Sequence, residues 1–154
     1  MPIATFLPLA FLLLCAVLSD LRTRTIPNEL ILIGVLYGLT ATSFAWSGLS
    51  FIQMTLGFLV GLVLFFYPYS KSWIGAGDLK LMAMIGMYLG PYATLMAGLY
   101  ATAVGGFLAI GYLIQRNKLK KTITNIFNSK EQQESMPYAL AIAIGTLISI
   151  SQIK

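Results

Sequence analysis

Five carboxylates occur in the 154 residues, at Asp20, Glu29, Asp78, Glu131 and Glu134, and there is no histidine. A chain without histidine has no Ser-His or Cys-His nucleophile, no HExxH zinc motif and no His-ligated metal. The single cysteine, Cys15, rules out an internal disulfide and a CxxC zinc site. One route to hydrolysis that survives these absences is a pair of acids. Two carboxylates a few ångströms apart share one proton; the ionised member takes a proton from water and the neutral one hydrogen-bonds the carbonyl under attack. Such a pair needs neither metal nor cofactor, and none is expected here.

Asp20 closes the first apolar run, and Asp78 opens the fourth within GAGDLKL, residues 75–81. Both therefore fall at the same end of a helical bundle, although 58 residues separate them. Ionisable groups at membrane depth are costly and usually functional. Gly75 and Gly77 let an extended substrate backbone come close to Asp78, and with Lys80 they complete the candidate active-site loop. Each acid also has a plainer reading. Asp20 serves equally as a loop acid beside Arg22 and Arg24, and Asp78 as an N-cap in a tight glycine turn. Glu29 reads as a first-turn helix acid, and Glu131 and Glu134 as solvated loop acids. Lys80, two residues from Asp78, points elsewhere on the helix and snorkels to the surface. Spacing alone leaves open whether Asp20 and Asp78 meet.

The elements that must position them are membrane helices. Hydrophobic residues make up 58% of the chain and charged residues 10%, with a mean hydropathy of +0.82. A water-soluble domain carries roughly a quarter charged residues, so this composition belongs in a lipid bilayer. The net charge of +5 is scattered between apolar blocks without forming a stripe, which argues against nucleic acid. Apolar runs at about 2–19, 30–46, 51–69, 79–90, 91–114 and 137–153 predict an all-α polytopic bundle of about six transmembrane helices, a single domain over 1–154. The first run lacks the cleavage site of a signal peptide and is kept as a span, with Cys15 as a packing residue. The fourth run, at twelve residues, rises only about 18 Å against a bilayer core of about 30 Å. It either borrows flanking residues or starts below the surface, which would recess Asp78.

Asn28 in Pro27-Asn28 is the expected N-cap of the second helix. Gly90-Pro91 separates the fourth and fifth. Glycines four apart, Gly34/Gly38, Gly57/Gly61 and Gly86/Gly90, predict close helix packing. The positive-inside rule places the loops at about 20–29, 70–78 and 115–136 in the cytoplasm, because they hold Arg22, Arg24, Lys71, Arg116, Lys118, Lys120, Lys121 and Lys130. Both termini are then expected outside. The basic loop 115–136 reads as a solvated loop, with an amphipathic surface helix as the alternative.

Three segments carry a family resemblance. GAGDLKLMAMIGMYLG (75–90) resembles the GxGD signature of type IV prepilin peptidases, SDLRTRTIPNEL (19–30) their first aspartate segment, and MPYALAIAIGTL (136–147) their closing Pro-Tyr helix start. All three occur in family order across nearly the whole chain. Presenilin-like proteases share GxGD but usually present the partner acid in a Tyr-Asp pair, where this chain has Ser19 before Asp20. The resemblance implies a bacterial inner-membrane aspartic endopeptidase that removes leaders from prepilin or pseudopilin precursors at the cytoplasmic face, with Asp20 and Asp78 as the catalytic pair. Larger members add a cysteine-containing cytoplasmic domain and methylate the new N-terminus. This chain resembles the short peptidase-only members, so no methyltransferase activity is expected.

Three other readings stay open on the residues alone. A proton- or cation-coupled transporter would use the same aspartates, though neither an inverted repeat nor a deeper acid continues a path. In an inactive assembly protein the acids would be caps. A Ser-Lys protease would draw on Ser70, Ser72, Lys71 and Lys80. The specific pilin and the oligomeric state are not encoded legibly.

Overall fold

The structure, a computed structural model, describes residues 2–115 and 138–152. The described residues form five helices: α1 (Ile3–Thr23), α2 (Asn28–Ser43), α3 (Phe51–Ser70), α4 (Ala76–Gln115) and α5 (Ala139–Gln152). The basic loop expected at 115–136 lies almost wholly outside the described residues.

Local chemistry sets the helix ends. α3 starts on a capping box in which the Ser50 hydroxyl accepts from the Gln53 amide and the Gln53 side chain accepts from the Ser50 amide. α1 stops at Arg24, whose left-handed backbone (φ 54°) returns its N–H to the Asp20 carbonyl. The expected Asn28 cap is not formed. Pro27 occupies the N-cap and Asn28 is the first helical residue, its side chain engaged elsewhere.

Gly90 breaks α4 into two arms, 76–89 and 91–115, with φ 75° and ψ 175°, a conformation essentially restricted to glycine. The arms double back on each other. A Cβ at Gly98 would lie 3.4 Å from Met82 Cε, whereas sixteen residues of straight helix would separate these positions by about 24 Å. The fourth and fifth apolar runs are thus two legs of one hairpin, and six helical segments answer to the six runs. Gly90 supplies this reversal, and both members of the pair Gly86/Gly90 lie with their backbone against Gly57, a Cβ on which would come to 3.0 Å from the Gly90 carbonyl carbon.

The first arm of α4 is the axis of the bundle. Every residue from Leu81 to Gly90 is buried; α3 and α5 pack extensively on α4, α2 packs on it less, and α1 rests mainly on α2 and α5. The outer helices turn apolar stripes outward: Leu7, Phe11, Leu14 and Leu18 on α1, and Ile52, Leu56, Leu59, Val63 and Phe66 on α3. Side chains three and four apart share one helix face, and exposing such faces to water would be prohibitive. Three stretches, Ile3–Thr23, Phe51–Ser70 and Ala76–Leu108, are long and apolar enough to cross a membrane, and Ala139–Gln152 is a shorter apolar helix. The protein is a multi-pass membrane bundle. Aromatic pairs stand near its two ends, Phe44 stacked on Trp46 at one and Tyr67 edge-on to Trp73 at the other, as expected of interfacial anchors.

Candidate active site

Asp20 occupies the last turn of α1 and Asp78 the first turn of α4. Among the described residues they are the only charged ones in the buried polar set, 6% and 8% exposed. The fold brings them to the same end of the bundle, within electrostatic range of each other. Arg24 is within the same range of Asp20.

Each acid is oriented by one backbone amide. The Ala139 N–H at the start of α5 donates to Asp20 Oδ2 at 3.0 Å, so a helix N-terminus, where amides lack intrahelical partners, points at the first acid. The Gly75 N–H donates to Asp78 Oδ2 at 3.1 Å. Asp78 is therefore not the N-cap weighed above. It is the third residue of α4 and reaches back to the amide before the helix, as the acidic half of a capping box does. Among the described residues, neither Oδ1 accepts a hydrogen bond.

The candidate loop residues divide. Neither Gly75 nor Gly77 has a positive φ, so the turn before Asp78 does not rest on left-handed glycine. A Cβ on Gly75 would lie 3.5 Å from Asp78 Oδ2, while one on Gly77 would lie 3.1 Å from Cβ of Ile26. Lys80 is exposed and donates to Asn28 Oδ1 at 2.9 Å, joining the first turns of α2 and α4 beside the acids. Glu29 is an exposed first-turn acid. Glu131 and Glu134 lie outside the described residues. Ser70 donates to the Tyr67 carbonyl at 2.8 Å, and none of the hydrogen bonds among the described residues pairs a serine with a lysine. Among the described residues, no three His, Cys, Asp or Glu side chains group as a metal site requires.

Two contributors escaped residue-by-residue reading. The first is the Ala139 amide: a backbone donor has no side-chain signal, and only the position of MPYAL at the head of the last helix points to it. The second is Tyr138, within electrostatic range of Asp78 and edge-on to Phe65 with centroids 6.1 Å apart. Its ring fills the space over Gly105, where a Cβ would approach Tyr138 Cε2 to 2.5 Å.

Two buried carboxylates thus share one end of the bundle, with the start of α5 donating to one of them. No curated protein and no solved structure matches the chain. A family match does, covering residues 7–110 and with them both acids and the glycine loop. On that match, over about two thirds of its length, the chain belongs to the type IV leader peptidase family.

Proposed function

We propose that this protein is an aspartic endopeptidase that cuts the leader from prepilin-like precursors at the cytoplasmic face of the bacterial inner membrane, with Asp20 and Asp78 as its dyad. Membership in a leader peptidase family supplies the peptidase and a precursor protein as substrate. The observation that carries the finer reading is the convergence at one end of the bundle of two buried aspartates 58 residues apart in sequence.

In this reading the dyad shares one proton. Amide donors hold Oδ2 of each carboxylate, and among the described residues neither Oδ1 accepts a hydrogen bond, which leaves it available to water and substrate in this reading. The ionised acid removes a proton from water, and the hydroxide equivalent attacks the scissile carbonyl. The protonated acid donates to that carbonyl oxygen, and its proton passes to the leaving amine as the bond breaks. No covalent intermediate forms. Arg22 in the last turn of α1 and Lys71 at the C-cap of α3 support a cytoplasmic face at this end by the positive-inside rule; in this reading both chain ends are outside and 1–154 is one peptidase domain.

The test is co-expression with a precursor whose leader ends in glycine, comparing wild type with Asp20→Asn and Asp78→Asn at matched membrane levels. Wild type cleaves and both variants lose all processing. Cleavage that survives both changes ends the aspartic reading. Acid-to-amide variants that abolish ion flux, in a protein that processes nothing, favour the transporter instead.

A further inference from the structure

Ile26 is the only buried residue between Leu21 and Glu29. A turn linking two membrane helices at the water boundary has no local reason to bury an isoleucine, so its contact is informative. The missing side chain of Gly77 makes room for it: a Cβ there would meet Ile26 Cβ at 3.1 Å, Cγ1 at 3.4 Å and the Ile26 backbone nitrogen at 3.5 Å.

Polar contacts hold the rest of the turn. The Ser19 hydroxyl donates to the Thr25 carbonyl at 2.8 Å, and Thr23 Oγ1 donates to the Ser19 carbonyl at 2.9 Å. Arg24 reverses the chain in the left-handed region. Two residues beyond Ile26, Asn28 receives the Lys80 ammonium. The segment leaving Asp20 is thereby laid against the residue immediately before Asp78.

We infer that Ile26 and Gly77 form a clasp that sets the separation of the two aspartates, with Ile26 as a positioning residue and Gly77 glycine because it is the seat for Ile26. On this account Gly77 is not a window through which a substrate backbone approaches Asp78. The two accounts predict different kinetics. Displacing one acid lowers kcat, because misplacement by about 1 Å can cost ~100-fold. Obstructing an approaching substrate raises KM, whatever residue stands at 26.

The clasp bears on catalysis only through the dyad proposed above, so its test has one arm that needs activity and one that does not. In the first, precursor cleavage is measured for Gly77→Ala, Ile26→Ala and the double variant. Gly77→Ala lowers kcat by about tenfold or more. Adding Ile26→Ala restores much of it, because without the branches beyond Cβ the turn can withdraw the few tenths of an ångström required. The cycle is then strongly non-additive. Losses that multiply, or a rise in KM independent of residue 26, overturn the clasp.

In the second arm, Asn28→Cys and Lys80→Cys are introduced with Cys15→Ala and joined by a short thiol cross-linker in membranes. Cross-linking is efficient with Ile26 and Gly77 intact, falls in Gly77→Ala and recovers in the double variant. A yield indifferent to residues 26 and 77 overturns the clasp without reference to activity. Should the wild type cleave no precursor, the proposed function fails and this arm still decides. If Gly77→Ala does not accumulate, Ile26→Ala alone must lower the cross-link yield; an unchanged yield is again fatal.

Discussion

The two sides of the bundle are built differently. Where α3 meets the first arm of α4, and where the second arm meets α5, backbone lies on backbone. A Cβ at Gly57 would fall 2.0 Å from the Gly86 carbonyl oxygen, one at Gly61 2.5 Å from that of Met82, and one at Gly145 2.5 Å from the Ala101 nitrogen. The α1–α2 pair instead meets α4 through side-chain tips. Gly34 receives Met84, Gly38 faces the Tyr88 ring, the Tyr88 hydroxyl donates to the Gly34 carbonyl, and Lys80 reaches Asn28. Backbone contacts cannot yield without moving a whole helix, whereas long side chains can change rotamer. Asp78 rides on the rigid body and Asp20 on the adjustable pair. The site lies across the seam between them.

The largest expected effect tests the rigidity itself. Gly57→Ala forces α3 off α4 and costs about 3 kcal/mol or more, seen as a large fall in melting temperature in detergent or as loss of the protein from membranes. Gly34→Ala is its counterpart across the seam. A Cβ there would also come within 2.0 Å of a neighbour, but that atom is Met84 Sδ, part of a flexible side chain. The cost falls below about 1.5 kcal/mol. Equal losses from the two changes would erase the distinction between the sides.

Much of this organisation is legible in the sequence. Six apolar runs became six helical segments, and Gly57 and Gly61 became the packing face that their spacing predicts. The acids at 20 and 78 reached one end because an odd number of crossings separates the starts of α1 and α4. Less legible was anything depending on a partner far along the chain. Asn28 has the composition of a cap, yet Lys80 claims its side chain from 52 residues away. Gly86 and Gly90 look alike in sequence and both lie against Gly57, but only Gly90 also reverses the chain. Gly77 reads in sequence as room for a substrate backbone beside Asp78, and only the fold reveals Ile26 against it. The amide that orients Asp20 lies 119 residues on, and backbone donors leave no trace in residue type.

That amide gives the next prediction, which sharpens the comparison by cutting a tie between Asp20 and the rigid body. Ala139→Pro removes the donor at the first position of α5, where proline is well tolerated. A hydrogen bond to a charged group is worth about 1.5–3 kcal/mol. Turnover of the precursor therefore drops by about 10- to 100-fold while the protein accumulates and melts nearly as wild type. A variant that cleaves at the wild-type rate would show that α5 does not orient the acid.

Tyr88→Phe cuts a tie at mid-depth. The hydroxyl is buried and spans 54 residues to reach the Gly34 carbonyl. Its removal leaves the ring packed against Gly38 and costs about 1 kcal/mol, read as a modest fall in detergent melting temperature. Because the bond lies far from the aspartates, kcat changes little. A loss of activity larger than the loss of stability would mean that the α1–α2 pair transmits its position along its whole length.

The smallest effect is expected where the tie is exposed. Lys80→Met keeps an apolar stem near the start of α4 and removes the ammonium that Asn28 holds at 2.9 Å. A polar contact open to solvent contributes between about 0 and 1 kcal/mol, so the melting temperature barely moves. Its effect on activity is nevertheless informative, because Lys80 follows Asp78 by two residues and its partner follows Ile26 by two. If the Ile26 contact alone sets the register, Lys80→Met keeps kcat within about threefold of wild type, the change that ~0.7 kcal/mol would produce. If the register needs both ties, the loss in kcat exceeds anything the stability change accounts for, and Asn28→Ala reproduces it. A lysine acting on the substrate instead would raise KM in Lys80→Met and leave Asn28→Ala silent.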